Sequence, residues 1–209
     1  MDGPGPKKTG ALSPTDTEIQ QAVDALAAGE LVVFPTETVY GIGCDALNPD
    51  ALVRLCAAKQ RPPDKGIGVI LGSPAMLSQV AASVSPAAER LGGAFWPGPL
   101  NLLVPAQDRL PTPVVHEGRI ACRVSSDPIA RRLAQALGRP IAAPSANPAE
   151  LEPATDKSAA CAYFGTSVAV YLDGGAREAS PSTLVDPGPP LRILRAGPIE
   201  IDAIEAVLA

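Results

Sequence analysis

Short apolar runs alternate with helical patterns along most of this chain, and this alternation limits its fold more than any other feature. The apolar run at 31–34 precedes a helical pattern that starts at Asn48-Pro49, and the alternating segment 119–124 precedes one that starts at Asp127-Pro128. The chain also has 19 glycines and 24 prolines, which keep each element short. Strands that alternate with helices predict an α/β fold, here a single domain with an open, twisted, mixed sheet and flanking helices.

Capping and turn residues locate the individual elements. A T-x-x-E capping box from Thr15 to Glu18 starts a first helix that ends near Gly29. No strand is predicted between Pro35 and the helix at Asn48-Pro49. The other predicted strands are 68–71, 100–104, 119–124, 141–143, 168–172, 183–186 and 191–194, and the other helices start near Pro74 and Pro86 or span 127–138, 156–164 and 198–208.

The composition excludes several classes of protein. Hydrophobic residues make up 46% and charged residues 19% of the chain, which is typical of a globular domain. No apolar stretch of about 18 residues predicts a membrane span. Residues 1–12 lack the apolar run of a signal peptide, so we expect a flexible leader there and one domain over 13–209. Four cysteines without a C-x-x-C pair predict reduced core residues in a cytoplasmic protein.

The charge is divided unevenly along the chain. The formal net charge is −5. Residues 54–139 hold 11 basic and 5 acidic side chains, whereas the rest of the chain holds 6 basic and 17 acidic ones. A basic middle within an acidic chain indicates an internal anion site more than a general nucleic-acid surface, although chance clustering of surface arginines would give the same count. Aromatic residues make up only 3% of the chain, which argues against a stacking platform for single-stranded nucleic acid.

Three segments carry side chains that suit an anion site. Segment 35–43 follows a strand and holds two hydroxyls, a carboxylate and two glycines. Segment 59–65 places three cations at a helix end, where two prolines stiffen the chain and where lysine with arginine suits phosphate or bicarbonate. Segment 143–148 places a hydroxyl and an amide two residues apart. Each also has a purely structural explanation: a strand-to-turn connection, cations favoured by a helix dipole, and turn-forming residues.

Other common signatures are absent from the sequence. It contains neither G-x-x-x-x-G-K-[ST] nor G-x-G-x-x-G. The one histidine, His116, is predicted in a loop and cannot be assembled into a catalytic triad or a metal site. We therefore predict no metal site built from the protein's own side chains.

Seven motifs, taken in order, resemble the YrdC/Sua5 family and specifically its single-domain threonylcarbamoyl-AMP synthases. The similarity runs from about residue 18 to 200. The motifs are FPTETVYGIGCDA at 34–46, AKQRPPDKG at 58–66, FWPGPL at 95–100, ACRV at 121–124, APSAN at 143–147, PSTLVD at 181–186 and LRAG at 194–197.

The resemblance implies a nucleotidyltransferase. L-threonine, bicarbonate and ATP, the last with Mg²⁺, would give L-threonylcarbamoyladenylate and pyrophosphate, and the product would serve tRNA N6-threonylcarbamoyladenosine modification. The resemblance also implies a YrdC-like sheet with a deep cationic cavity. It leaves room for transient contact with the tRNA threonylcarbamoyl transferase complex and for weak tRNA binding.

The resemblance also implies a role for particular residues. Lys59 and Arg61 would be the catalytic cations that hold the phosphates. The implied threonine contacts are Thr36, Arg123, Ser182 and the backbone of Ala143. The implied ATP contacts are Lys59, Arg61, Lys65, Arg119, Ser145, Asn147 and Arg195.

The sequence departs from the family pattern at a few places. Ala149 and Glu150 stand where the family commonly has Ser-Gly, and Asn101 stands where it commonly has threonine. Two other functions stay open at this point: a YrdC-like RNA-binding module without catalysis, and a carbamoyl transferase-type domain.

Overall fold

The computed structural model describes residues 13–177 and 181–209, which form six α-helices and the nine strands of one sheet. The strands are β1 (Val32–Pro35), β2 (Tyr40–Asp45), β3 (Val69–Leu71), β4 (Leu100–Pro105), β5 (Arg119–Val124), β6 (Ile141–Ala142), β7 (Val170–Tyr171), β8 (Thr183–Asp186) and β9 (Arg192–Arg195). The helices are α1 (Asp16–Ala27), α2 (Pro49–Lys59), α3 (Pro86–Phe95), α4 (Pro128–Leu137), α5 (Lys157–Phe164) and α6 (Ile201–Leu208). Short 3-10 helices span Pro74–Gln79, Thr112–Val114 and Gly165–Ser167. The predicted leader at 1–12 lies outside the described residues.

The sheet is open and mixed, as the alternation of elements predicts. Its strand order is β7-β1-β2-β6-β3-β5-β4-β8-β9. The pairs β1–β7, β3–β5 and β4–β8 are parallel, and the other neighbouring pairs are antiparallel.

Helices cover both faces of the sheet. Alternate residues of one strand enter different cores: in β3, Ile70 packs with α1 and α4, whereas Val69 and Leu71 pack in the larger core. The larger core also takes buried residues of α2, α3, α5 and α6. No helix among the described residues is long and apolar enough to cross a membrane.

Several local predictions are confirmed residue by residue. Thr15 and Glu18 form the reciprocal contacts of a capping box at the start of α1. The bounds of β5 and β8 agree with the predicted segments 119–124 and 183–186. The other predicted strands differ by one or two residues at an end, and the helix expected near Pro74 is a 3-10 helix.

Strand β2 is the largest difference from the sequence prediction, which places no strand there. Its two glycines are typical of a turn, but Gly43 serves close packing instead. A Cβ atom at Gly43 would lie 2.8 Å from the side chains of Ile141 and Phe34 and 2.9 Å from the Ala142 carbonyl oxygen. The missing side chain therefore allows Gly43 to pair with β1 and the next residues of β2 to pair with β6.

Asp186, at the end of β8, joins three strands near one edge of the sheet. Its Oδ1 lies 2.7 Å from Arg119 Nη2 of β5, and its Oδ2 lies 2.6 Å from Arg192 Nη2 of β9. Burial alone raises the pKa of this carboxyl. Hydrogen bonds from Arg192 and the Gly188 N–H, together with Arg119, outweigh that effect, and they leave the pKa below its ordinary value of 3.8.

We expect Asp186→Asn to lower the free energy of unfolding at neutral pH by about 2–4 kcal/mol, because two arginines lose their shared counter-charge. The Asp186 contribution is complete above pH 3.8 and is lost as the pH falls through the lower native pKa. Urea unfolding of parent and variant checks this. The difference between their free energies of unfolding should become smaller toward acid pH. Asp108→Asn, at an exposed position, is the control; equal effects of the two variants would contradict the prediction.

Candidate functional site

A cavity of about 440 Å³ lies against β4, β5 and β8, and its lining extends to β2 and β3, on which α1 and α4 pack. Its floor includes Asn101, Ala121, Arg123 and Leu184, which alternate along β4, β5 and β8 with residues of the larger core. These side chains therefore point away from the larger core. They lie on the same face of the sheet as α1 and α4, but on neighbouring strands. The rest of the described lining comes from 36, 38–41, 61, 66–70, 143–145, 152–153, 181–182 and 195. The volume is within the usual range for small-molecule sites.

The turn between β1 and β2 forms one wall of the cavity. Thr36 Oγ1 donates to the Val39 carbonyl at 2.6 Å and accepts from the Thr38 backbone N–H at 3.2 Å. Thr36 and Thr38 both line the cavity and both are buried. Because the Thr36 hydroxyl is engaged within the turn, its main structural effect is to fix the shape of this wall.

Three donors converge on the Ser182 hydroxyl. Its Oγ accepts from Asn101 Nδ2 at 2.5 Å, Arg195 Nη2 at 3.0 Å and Arg123 Nη1 at 3.2 Å. Arg195 Nε also donates to the Ser182 carbonyl at 2.8 Å. A hydroxyl oxygen has two lone pairs, so the three donors must share them, and none of these contacts uses the hydroxyl proton. Burial, and then the nearby Arg123 charge, lower the pKa of Arg195, so an anion bound beside it would stabilise its charged form.

A half-buried carboxylate, that of Glu37, stands behind Arg123, which is itself 8% exposed. Glu37 Oε1 lies 3.1 Å from Arg123 Nε, but the N–H does not point at the oxygen, so the contact is an ion pair without a hydrogen bond. The other oxygen, Oε2, accepts from the Ser125 hydroxyl. Glu37 and Ser125 therefore fix the guanidinium from behind while its Nη1 side faces Ser182.

Arg61 closes the cavity from the loop that follows α2. Gln60, in the left-handed conformation with φ 51°, ends that helix and turns the chain toward the cavity. The Arg61 Nη2 group donates to the Lys65 carbonyl and, at 2.9 Å, to the Gly66 carbonyl. Burial lowers the pKa of Arg61, but a guanidinium stays protonated at neutral pH.

Lys59 lies behind the cavity wall and not on it. Its side chain is buried, and Nζ donates to the carbonyls of Ser145 and Asn147 at 2.5 Å each. The Lys59 carbonyl in turn accepts from the Ala149 N–H at 2.8 Å. Burial, and then the Arg61 charge, lower the pKa of Lys59 to about 8. Lys59 thus holds the 145–149 segment from behind the cavity wall, and the phosphate contact that the motif implies stays a prediction.

The segment after β6 supplies the opposite wall. Ala143 and Ser145 line the cavity, whereas Asn147 does not. The Ser145 hydroxyl donates to Asn147 Oδ1 at 2.6 Å, and Asn147 Nδ2 donates to the Leu151 carbonyl at 2.6 Å. Asn147 therefore acts on the cavity through Ser145, by closing the loop behind it.

Besides Lys59 and Asn147, two more of the predicted site residues, Arg119 and Lys65, lie away from the cavity lining. Arg119 shares a strand with Arg123, but its guanidinium is bound to Asp186 and to the Leu103 carbonyl, at 2.8 Å. The Lys65 side chain is exposed, and only its carbonyl is engaged, by Arg61. Of the eleven predicted residues, seven line the cavity: Thr36, Arg61, Arg123, Ala143, Ser145, Ser182 and Arg195.

The charged side chains that line the described cavity are three arginines and one glutamate, Arg61, Arg123, Arg195 and Glu152. In a site of low polarity, fixed guanidinium groups bind carboxylate and phosphate strongly and orient them. The arrangement suits a reaction in which two anionic groups must be brought together.

Sequence reasoning missed several lining or supporting residues. Asn101 is a polar residue between two leucines in a buried strand, which is the signal that could have revealed it. Glu37 stands in the recognised motif, but its partners come from distant segments. Glu152 has no local signal of this kind.

Comparison with known proteins identifies the family. Residues 24–197 match the Sua5/YciO/YrdC family model, which carries the description "telomere recombination". The chain belongs to the Sua5/YciO/YrdC family.

Relatives within the Sua5/YciO/YrdC family carry one activity in their names. A putative threonylcarbamoyl-AMP synthase of Mycobacterium tuberculosis is 40% identical over 91% of this chain and 88% of its own length. A threonylcarbamoyl-AMP synthase of Vibrio cholerae is 35% identical over 86% of this chain and 97% of its own length. Among solved structures, Pyrococcus abyssi Sua5 complexed with L-threonine superposes with a TM-score of 0.90 at 34% identity, over 94% of this chain. This chain spans 59% of that longer Sua5 chain.

Proposed function

We propose that this protein is an L-threonylcarbamoyladenylate synthase, which makes threonylcarbamoyl-AMP and pyrophosphate from L-threonine, bicarbonate and ATP for tRNA N6-threonylcarbamoyladenosine modification. One observation carries the proposal: arginines from three separate motifs line a single cavity together with Ser145 and Ser182. The threonylcarbamoyl-AMP synthase relatives, which align over most of the chain, support the same activity.

The chemistry explains why such a site needs cations and no nucleophile. The threonine amine attacks carbon dioxide with loss of a proton, or bicarbonate with loss of water, and gives a carbamate, which is anionic and short-lived in water. A carbamate oxygen then attacks the α-phosphorus of ATP, and pyrophosphate leaves. Because anion must approach anion, positioning and charge neutralisation supply most of the catalysis.

The residues divide into two groups in this proposal. Arg123, Ser182 and the 36–39 turn would hold threonine, with Arg123 binding its carboxylate. Arg61, Ser145 and Arg195 would hold the nucleotide and its phosphates. Lys59 and Asn147 would support the nucleotide wall from behind, through the contacts already described.

The nucleotide substrate would be MgATP. Mg²⁺ is held largely by phosphate oxygens and water in such complexes, often with one or two carboxylates. Glu152 is the carboxylate that the described cavity lining offers.

Pyrophosphate release from ATP, measured with threonine and bicarbonate present or omitted, tests the proposal. Release that requires both is the expected result. Salt-sensitive tRNA binding without ATP turnover would favour an RNA-binding module, and turnover of carbamoyl phosphate would favour a carbamoyl transferase-type domain. Transient contact with a tRNA threonylcarbamoyl transferase complex, weak tRNA binding and a cytoplasmic location remain predictions.

We expect Arg123→Lys to weaken threonine binding by about 10-fold or more and to change ATP binding much less. A lysine replaces a bidentate fork by a point charge and leaves Glu37 and Ser182 less well paired. Calorimetric titration of threonine and of ATP into parent and variant measures the two affinities separately and checks this difference. Arg109→Lys, at an exposed position, is the matched control. Unchanged threonine affinity would remove Arg123 from the site.

A further inference from the structure

Arg177 connects three segments beside the 36–39 turn, although it belongs to none of the recognised motifs. Its Nε donates to the Thr36 carbonyl at 2.7 Å, and its Nη2 donates to Asp127 Oδ2 at 2.8 Å. Its Nη1 donates to the Gly174 carbonyl at 2.7 Å. One guanidinium thus links the cavity wall to the segment after β5 and to the segment after β7.

The Asp127 carboxylate is itself held firmly. Its side chain is 6% exposed, and Oδ1 accepts from the Ile129 N–H at 2.8 Å as the N-cap of α4. Arg177 therefore pairs with a fixed, buried anion and not with a mobile surface carboxylate. Such an ion pair holds its two segments in place more firmly than an ion pair between exposed side chains does.

A second connection joins the same two segments. Ser125 donates to Glu37 Oε2, and the Ser125 hydroxyl accepts from the Asp127 N–H at 3.1 Å. Adjacent residues of the turn are thus bound to the 125–127 segment by different routes: Thr36 through Arg177 and Asp127, and Glu37 through Ser125. The 125–127 segment directly follows β5, which carries Arg123.

We propose that Arg177 is a positioning residue for the amino-acid substrate. It fixes the 36–39 turn relative to Arg123, so that the distance between this turn and the guanidinium that binds the substrate carboxylate stays constant. This inference rests on the proposed function. Arg177 does not line the described cavity, so it acts through Thr36 and Asp127 and touches no substrate.

Steady-state kinetics of Arg177→Gln tests the proposal, because a positioning role predicts a change confined to one substrate. We expect the KM for threonine to rise about 10-fold, as for loss of a hydrogen-bonded charge, with the KM for ATP within about twofold of the parent. Arg177→Lys should restore part of the loss, since it keeps the charge near Asp127 but cannot reach all three partners. Asp127→Asn keeps an N-cap residue and should shift the threonine KM in the same direction.

Arg139 and Asp45 offer a matched control. Arg139 Nη1 lies 2.5 Å from Asp45 Oδ2, Asp45 is buried, and Asp45 Oδ1 also accepts a backbone N–H, from Leu47 at 3.0 Å. Neither residue lines the cavity. Arg139→Gln should therefore lose stability as Arg177→Gln does, yet leave the threonine KM within about twofold of the parent.

Hydrogen exchange of the peptide that covers residues 36–40 gives a readout independent of turnover. Faster exchange there in Arg177→Gln, but not in Arg139→Gln, is expected. Equal exchange in the two variants, or an unchanged threonine KM in an active Arg177→Gln enzyme, would overturn the proposal while the proposed function stands. A parent enzyme without threonine-dependent pyrophosphate release would instead contradict the proposed function.

Discussion

Replacing Lys59 by methionine should remove most of the threonine-dependent pyrophosphate release and also lower the melting temperature. Methionine fills a similar volume but removes the donor of the Asn147 carbonyl and one of the two donors of the Ser145 carbonyl, which also accepts from the Asn147 N–H at 3.0 Å. One unsatisfied acceptor and one further lost hydrogen bond cost about 2–3 kcal/mol in total, which corresponds to a fall of roughly 4–12 °C for a chain of this size. Ser145 would then lose its fixed place on the nucleotide wall, and the rate should fall by about 10²-fold or more.

The fall in melting temperature separates this prediction from the one that the motif alone supports. A lysine that only contacts phosphates would be removed with little effect on stability, whereas a buried lysine that binds two carbonyls is part of the fold. Lys65→Met is the comparison variant, because it removes the same charge from the same motif at an exposed position. We expect it to leave the melting temperature within about 2 °C of the parent. A Lys59→Met enzyme that melts with the parent would contradict the support role.

The lowered pKa of Lys59 allows a second check. With a pKa of about 8, Lys59 loses its proton within an accessible pH range, but the neutral amine still has N–H groups for both carbonyls. ATP affinity measured between about pH 7 and pH 9 should therefore change little if Lys59 only supports the wall. A steep loss of affinity through pH 8 would show instead that the ammonium charge reaches the phosphates.

Much of the fold follows from local sequence signals that have a single physical explanation. The capping box at Thr15 and the Asp127-Pro128 start of α4 fix helix ends through side-chain bonds to free N–H groups. The alternation in 119–124 predicts β5 because Ile120, Cys122 and Val124 enter the larger core, whereas Arg119 and Arg123 lie on the other face of the strand. Strand β2 shows no such alternation, since all six of its residues are buried, and one of its two glycines, Gly43, leaves no room for a side chain against β1 and β6.

The site is predictable as a set of motifs but not as a geometry. Sequence order identifies Arg61, Arg123 and Arg195, and the fold brings them to one cavity. Whether a motif cation points into the cavity depends on the last turn of a helix or on a partner elsewhere. Lys59 points back to a loop 86 residues away in sequence, and Arg119 points to Asp186. Such partners leave no pattern within the motif itself.

Arg61→Ala should give the largest loss of activity with the smallest loss of stability. Arg61 lines the cavity, and its guanidinium contacts only carbonyls of its own loop, those of Lys65 and Gly66. Its removal therefore leaves the sheet and both cores intact. Losing one preorganised cation from a site where charge develops on a leaving pyrophosphate typically costs about 10²–10³ in rate. The melting temperature should stay within about 3 °C of the parent.

Arg61→Lys and Arg54→Ala make this prediction specific. Arg61→Lys keeps a charge at the same place and should recover part of the rate, because a point charge still neutralises phosphate while the fork is lost. Arg54, on α2, donates to the Gly29 carbonyl at 2.8 Å and does not line the cavity, so Arg54→Ala should keep normal turnover. Pyrophosphate release at saturating ATP decides between the two roles of Arg61, phosphate contact and loop closure. Activity of Arg61→Ala within about threefold of the parent, a difference of only ~0.7 kcal/mol, would show that Arg61 is a loop-closing residue and not a contact of the reacting phosphates.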